Sequence, residues 1–477
     1  VTTTPAQFSR SERHLLWLVG AGFFMQTLDS TIVNTALPAM ASSLNESPLR
    51  MQSVVIAYTL TMAMLIPVSG WLADHFGIRT VFFSAIVLFA FGSALCAASS
   101  NLAELAGARI IQGAGGSMLL PVGRLAVLRT FPPARLLPAF SLVVIPGLVG
   151  PLIGPTLGGL LTQYYSWHWV FLINIPVGIV GALLTLSIMP QLRRPLTDGF
   201  DTTGYVMIAV AMATISLALD GLSELHLQHA SVLVLFVFGL ASLAGYWLHA
   251  SQRPRPLFPT QLFGLSTFSI GLLGNLFARI GSGSMPFLLP LTLQVALGYT
   301  PVQSGMMMLP TAAAALLTKR VATPLITYFG YRSVLMTNTL LVGAAIASFA
   351  LVTPQQPMWI RIIQFSVFGA VNSLQFTAMN TLTLKDLGPE RASSGNSLLS
   401  MVQMVSMSFG VAAAAALLTT FTQMLAAETP PQLLRAFHFA FLCVGLITMA
   451  ATWIFAQLSS EVRGRGERAH EADVAPS

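Results

Sequence analysis

The chain has 477 residues, of which 55% are hydrophobic and only 8% charged. Soluble globular domains carry about 25% charged residues, so ordinary soluble enzymes and nucleic-acid-binding modules are excluded, and lipid is expected to solvate most of the chain. The net charge of +7 would suggest acidic partners in a soluble protein, but in a membrane protein it records orientation.

Residues 1–13 are polar and lack the basic-then-apolar order of a cleaved signal, so they read as a tail before a retained first helix. A spanning helix needs about 20 mostly apolar residues. The segments that qualify are 14–37, 52–73, 79–99, 103–127, 136–162, 167–189, 203–222, 230–249, 264–293, 302–327, 332–352, 357–384, 393–421 and 436–457. The expectation is an all-α integral membrane protein with fourteen spans and both ends on one side. Of the 23 basic residues, fifteen fall on the side of the amino terminus and two, Arg50 and Arg435, on the other, which places both termini in the cytoplasm. Six more lie within segments: Arg109, Arg124, Arg279, Lys319, Arg320 and Arg361. Cys96 and Cys443 sit in apolar runs and suggest no disulfide, and His226 and His229, in a polar connector, do not suggest a metal site.

Two stretches repeat. Phe76-Gly77-Ile78-Arg79 returns as Phe329-Gly330-Tyr331-Arg332, and Arg109-Ile110-Ile111-Gln112 returns as Arg361-Ile362-Ile363-Gln364, at offsets of 253 and 252. Helices one to six therefore correspond to nine to fourteen, with seven and eight inserted. The predicted division is a cytoplasmic tail (1–13), a six-helix bundle (14–189), a linker with two inserted spanning helices (190–263), a second six-helix bundle (264–457) and a cytoplasmic tail (458–477). Parallel six-helix halves with a site between them near the midplane characterise transporters.

Asp29 is a carboxylate well inside a span, where a charge costs at least about 2.5–3.5 kcal/mol. A carboxylate whose charged and protonated states lie close in energy is what proton coupling needs; the plainer reading is a buried ion pair or cap. Asp29 lies roughly 13 Å below the outer end of helix one, and Arg109 roughly 9 Å below that of helix four, so the two are expected to couple. Gly150, Gly154 and Gly158 recur every four residues on one helix face, interleaved with Pro151 and Pro155, which predicts a close packing seam. Asp74, Gly77 and Arg79 suit an ionic latch at the cytoplasmic mouth, the plainer reading being a charged anchor; Thr327 stands in place of the acid in the second half. Arg279 with Asn275 one turn earlier, Lys319, Arg320 and Arg361 are cationic candidates for a substrate cavity, or else snorkel to the interface. Gln26, Asn34, Asn372, Gln375 and Gln403 are uncharged polar candidates for the same cavity, although helix packing explains any one of them. No Gly-Lys-Ser/Thr phosphate loop occurs, so energy must come from a gradient or another chain, and no cofactor or metal is expected.

These residues resemble the major facilitator superfamily, specifically the fourteen-helix drug:proton antiporter family 2. Leu28 to Pro38 resembles the family's helix-one motif. Gly70 to Arg79 resembles motif A, with Thr80 where a second basic residue is usual. Arg109 to Gly113 resembles motif B, and Gly147 to Gly159 the antiporter motif C. Trp167 to Pro176 is also similar, with His168 where arginine is common. Met379 to Met401 and Lys319-Arg320 most resemble the MdtD-type branch. The resemblance implies alternating access between two six-helix bundles and proton-driven efflux from the bacterial inner membrane by a monomer. It implies coupling through Asp29 and Arg109, gating through Asp74 and Arg79, and an antiporter seam at Gly150, Pro151 and Gly154. The expected partners are protons, the bilayer and a small-molecule cargo, with no nucleic acid and no enzymatic activity. The cargo is expected to be amphipathic drugs, or alternatively an organic anion or metal chelate. A proton symporter for uptake is a further reading, which motif C opposes.

Overall fold

A computed structural model describes residues 8–193, 199–221, 229–427 and 429–458. Arg194, His226, the His229 side chain, Glu428 and the tails 1–7 and 459–477 lie outside the described residues. Every regular element among the described residues is helical: α1 (Arg10–Ser43), α2 (Gln52–Phe76), α3 (Ile78–Ala98), α4 (Leu102–Thr130), α5 (Pro133–Tyr164), α6 (Trp169–Leu172), α7 (Asn174–Ile188), α8 (Thr202–Gly221), α9 (His229–Gln252), α10 (Ser266–Leu291), α11 (Pro301–Met307), α12 (Leu309–Ser348), α13 (Met358–Leu384), α14 (Pro389–Met424), α15 (Pro430–Ala450) and α16 (Thr452–Ala456).

Thirteen helical stretches among the described residues are long and apolar enough to cross a bilayer. One of them, Pro301–Leu351, has 51 residues. At 1.5 Å per residue it would measure roughly 76 Å if straight, more than twice a hydrocarbon core. It is not straight, because Gly330 breaks it with φ 76° and ψ 158°. The stretch thus contains, up to Leu351, the two spans that the sequence separates as 302–327 and 332–352.

The break has a counterpart. Gly77, between α2 and α3, has φ 90° and ψ 148°, a region open in practice only to glycine. Both Phe-Gly-x-Arg repeats therefore turn the backbone in the same way. Helix starts are fixed locally. The Ser9 hydroxyl accepts from the Glu12 amide at 3.2 Å while the Glu12 carboxylate accepts from the Ser9 amide at 2.8 Å, a reciprocal cap that satisfies two orphan donors. Asn101 caps α4 through the Glu104 amide at 2.9 Å. Arg135, at the start of α5, grips Glu12 with both terminal nitrogens, at 2.9 and 2.8 Å.

Contacts gather the chain into two units, residues 1–205 with 299–306 and residues 206–298 with 307–477. In the first, α1 lies along α5, α4 along α2 and α3, and α3 against α7. Its core is aromatic where α3 turns inward, with Phe82 and Phe89 fully buried. The short α11 rests on α5: Gln163 accepts from the Val302 amide at 3.1 Å, and the Thr156 hydroxyl donates to the Gly305 carbonyl at 3.2 Å. In the second unit, α12 pairs with α13 and α15, and α10 with α14. Leu335, Ala378, Leu382 and Phe455 form part of its core. Helices α8 and α9 meet where the Ser242 hydroxyl donates to the Met207 carbonyl at 2.8 Å. Helix α9 leaves Leu233, Val234, Phe238 and Leu248 exposed, an apolar face that suits lipid and not water.

Candidate functional site

Asp29 stands midway along α1 and is fully buried. An isolated carboxylate there would be costly, so a partner and a full set of donors are required. The partner is Arg109 on α4, only 2% exposed, whose Nη1 donates to Asp29 Oδ2 at 2.7 Å. The residues that depth arithmetic placed in one half of the membrane are in direct contact.

Arg109 has further ties. Its Nε donates to the Val54 carbonyl at 3.2 Å, and its guanidinium lies 4.0 Å from the centre of the Tyr58 ring and 5.8 Å from that of Phe171. Desolvated cation–π contacts of this kind add to the retention of a buried cation. Nη1 also donates to Gln112 Oε1 at 2.7 Å, since Gln112 sits one turn along the same face of α4.

The other carboxylate oxygen is held by amides. Asp29 Oδ1 accepts from Gln112 Nε2 at 2.7 Å and from Asn174 Nδ2 at 3.2 Å. Both amides also donate to the Ser93 hydroxyl oxygen, at 2.9 and 3.0 Å, and that hydroxyl donates to the Phe171 carbonyl at 3.1 Å. Four helices, α1, α3, α4 and α7, thus converge on one carboxylate. Sequence reasoning missed the part played by Ser93 and Asn174. The available signal was Asn174 itself, an amide side chain within the apolar segment 167–189.

The proposed antiporter seam is a close packing of α5 on α1. A methyl group added at Gly150, Gly154 or Gly158 would overlap the hydroxyl of Thr27, Thr31 or Thr35 respectively. Three threonines spaced by four thus face three glycines spaced by four, and the threonine half went unnoticed in the sequence. The Thr35 hydroxyl donates to the Pro155 carbonyl at 3.2 Å. Helix α5 stays continuous through Pro138, Pro146, Pro151 and Pro155, as membrane helices do when neighbours satisfy freed backbone groups.

The Asp74, Gly77 and Arg79 turn is arranged differently from a simple latch. Asp74 forms an ion pair with Arg129 near the end of α4. Arg79 donates to the Met189 carbonyl, and the Ile78 amide to the Leu192 carbonyl at 3.1 Å. Gln191 donates to the Phe76 carbonyl at 3.1 Å and to Thr80 at 2.9 Å. The segment following α7 is therefore bound onto the Gly77 turn, and the Phe200 ring lies tilted against Trp71 with ring centres 5.2 Å apart.

The second unit distributes the cavity candidates unevenly. Asn275 is fully buried on α10 and donates to the Gly271 carbonyl at 3.0 Å. Gln403 Nε2 lies 3.5 Å from Asn275 Oδ1 and 2.7 Å from Asn380 Oδ1, so α10, α13 and α14 share a polar patch. Arg279, one turn beyond Asn275, lies 4.4 Å from the centre of the Phe376 ring. Gln375 is committed elsewhere, bonding Asn338 at 2.8 Å and Thr339 at 2.7 Å. Arg361 donates to the carbonyls of Thr353 and Pro354, at 2.6 and 3.1 Å, and is not brought to the Asn275 patch. Its repeat relative Arg109 faces a carboxylate, whereas Arg361 faces backbone. Lys319 and Arg320 are both exposed, and Asn372 is half-buried. In the first unit, Asn34 donates back to the Ser30 carbonyl at 3.1 Å. Gln26 is 7% exposed, with its carbonyl oxygen buried and lacking a hydrogen bond.

The sequence pattern of the Major Facilitator Superfamily matches residues 19–411. A relative in Serratia proteamaculans (strain 568), "Putative multidrug resistance protein MdtD", is 49% identical over 446 residues, 94% of this chain and 93% of its own. A protein of the same description in Pectobacterium atrosepticum is 51% identical over 413 residues, 87% of this chain and 88% of its own. Among solved structures, a bacterial homolog of the human lysosomal transporter Spinster, inward-facing and occupied, superposes with a TM-score of 0.70 at 14% identity, covering 96% of this chain and 99% of that one. A D-xylose-proton symporter superposes with a TM-score of 0.66 at 14% identity, covering 95% and 99%. At that identity these structures show a shared fold and nothing more.

Proposed function

Because this chain belongs to the major facilitator superfamily and is a multi-pass membrane transporter, we propose that it is a proton-coupled antiporter that exports amphipathic drugs or toxic small molecules across the bacterial inner membrane. In this reading both termini lie in the cytoplasm, and the protein works as a monomer by alternating access. The observation that carries the reading is the buried Asp29–Arg109 pair at 2.7 Å. Uptake of a proton by Asp29 removes the charge that holds Arg109 in place, and this links proton binding to a change of conformation. Intramembrane ionisable residues of this kind mark proton relays and substrate paths. The relatives' multidrug-resistance description supports the direction and the cargo class.

The test is reconstitution in proteoliposomes with an imposed proton gradient and a panel of lipophilic cations, neutral drugs and organic anions. Proton-driven efflux is expected for at least one amphipathic compound, with loss of the driven component in Asp29→Asn. Full proton-driven transport in that variant would overturn the coupling role.

A second cargo reading, export of an organic anion or metal chelate, is supported by Arg279. Its guanidinium rests over Phe376 beside the Asn275 patch, and no carboxylate among the described residues forms a salt bridge with it. If the anionic reading holds, Arg279→Leu abolishes anion transport and leaves that of lipophilic cations intact. Equal loss of both would assign Arg279 to packing.

A further inference from the structure

The two oxygens of Asp29 are not equivalent. Oδ2 accepts from the Arg109 guanidinium, a partner that withdraws if Arg109 shifts. Oδ1 accepts from two neutral amide groups, Gln112 Nε2 and Asn174 Nδ2, each anchored by a second hydrogen bond to the Ser93 hydroxyl oxygen. An amide nitrogen can donate but cannot accept. While both amides are in place, Oδ1 can serve only as an acceptor.

Asn174 is carried by a continuous helical turn. Ile173, between α6 and α7, has φ −60° and ψ −25° and its amide donates to the Trp169 carbonyl at 3.2 Å, so the chain keeps its helical course into Asn174. The side chain is 2% exposed and comes from a helix on which no charged group faces Asp29. The titratable groups around the carboxylate come from other elements: Tyr58 on α2, Cys96 on α3, whose thiol lies 3.6 Å from Gln112 Oε1, and Arg109 on α4. Asn174 thus adds no charge. Its contribution is to hold one oxygen in a fixed role.

We propose that Asn174 is a positioning residue for proton loading: with Gln112 it holds Asp29 Oδ1 as an acceptor, so that the proton is taken on Oδ2, the oxygen that Arg109 vacates. The step forms one O–H bond at Oδ2 and breaks one Nη1–H···Oδ2 hydrogen bond. Arg109 keeps its proton and positive charge, Asp29 becomes neutral, and the proton comes from the aqueous side that the gradient makes acidic. In the loaded state Oδ1 is the carbonyl oxygen and still accepts from both amides. The inference rests on the proton-coupled reading above and adds to it the atom that is protonated and the residue that selects it.

The carbonyl stretch of a protonated carboxyl group reports this directly, because each hydrogen bond accepted by its C=O oxygen lowers the stretching frequency. The experiment is an infrared difference spectrum, acidic minus alkaline, of the full-length protein in lipid, with Asp29→Asn used to assign the Asp29 band. The wild-type band is expected at low wavenumber and moves upward in Asn174→Ala. Asn174→Ser, whose side chain is too short to span Asp29 and Ser93 together, keeps a polar group in the pocket and is read in its place if the alanine variant does not insert. Loss of one hydrogen bond to the charged carboxylate is also expected to slow proton-driven efflux by about tenfold or more, with cargo binding in the absence of a gradient preserved. An Asp29 band that stays at its wild-type position in the Asn174 variants overturns the assignment of Asn174. The absence of any wild-type band removed by Asp29→Asn overturns the proton-coupled reading itself, and this inference with it.

Discussion

Arg109 and Asp29 touch at 2.7 Å with neither side chain open to solvent. Such a pair is costly to break, because removing one member leaves the other charge buried and unpaired, at about 3–5 kcal/mol. Arg109→Leu is therefore expected to lower the midpoint of thermal unfolding in detergent. The double variant Asp29→Asn with Arg109→Gln, which retains polar groups without net charge, recovers most of that midpoint and does not recover proton-driven transport. If the double variant is no more stable than Arg109→Leu, the penalty has another origin.

Gly154 and Thr31 occupy opposed positions on α5 and α1 with no room for a methyl between them. Gly154→Ala overpacks the seam, at about 1–3 kcal/mol. Thr31→Ala alone opens a small void. Combined, the two changes are expected to cost less than their sum, a coupling that a double-mutant cycle on thermal stability measures directly.

Gly77 and Gly330 both hold positive φ with extended ψ. Alanine at either position is expected to cost about 1–3 kcal/mol from backbone strain alone. The Gly77 variant also meets the amide end of the flexible Gln191 side chain, which can turn aside. Unfolding curves for the two alanine variants check the prediction, and a midpoint unchanged from wild type at either position would deny backbone strain a role there.

His168, in the turn before α6, stacks on Trp167 with ring centres 3.7 Å apart and lies 2.6 Å from the Ser166 hydroxyl. Partial burial pushes its imidazole below the usual histidine range. The fold therefore favours the neutral ring. The stability it contributes is complete above about pH 6.5, the ordinary histidine value, and is lost as pH falls through that value toward the lower one of the folded state. A shallow acid-side loss of thermal stability is expected, removed in His168→Asn. Identical pH profiles for the two proteins would remove His168 from the account.

Much of the first unit was legible in the sequence, because its signals are local. Helix spans follow from length and hydropathy, and the Asp29–Arg109 contact from the depth of each residue in its own helix. Ser93 and Asn174 were not legible, since Asn174 reaches the carboxylate from α7 while Ser93, on α3, ties together the two amides that hold it, which no spacing within one helix encodes. Arg361 shows the opposite failure. Its four letters match those around Arg109, yet the repeat offset carries Asp29 onto Gly281 or Ser282. The Arg361 guanidinium donates to the Thr353 and Pro354 carbonyls. Lys319 and Arg320, adjacent on α12, are both exposed, and nothing in their spacing distinguishes cavity from interface.

The threonine and glycine rows of α1 and α5 have an evolutionary consequence. At Gly154 the nearest atoms to an added methyl belong to the Thr31 side chain, so a lineage can enlarge one of the two only after shrinking the other. At Gly150 and Gly158 the Leu28 amide and the Ile32 carbonyl also close the space, and no change of Thr27 or Thr35 moves them. Aligned relatives are expected to covary at Thr31 with Gly154 and to keep both Gly150 and Gly158, and second-site suppressors of a bulky replacement at Gly154 should map to Thr31.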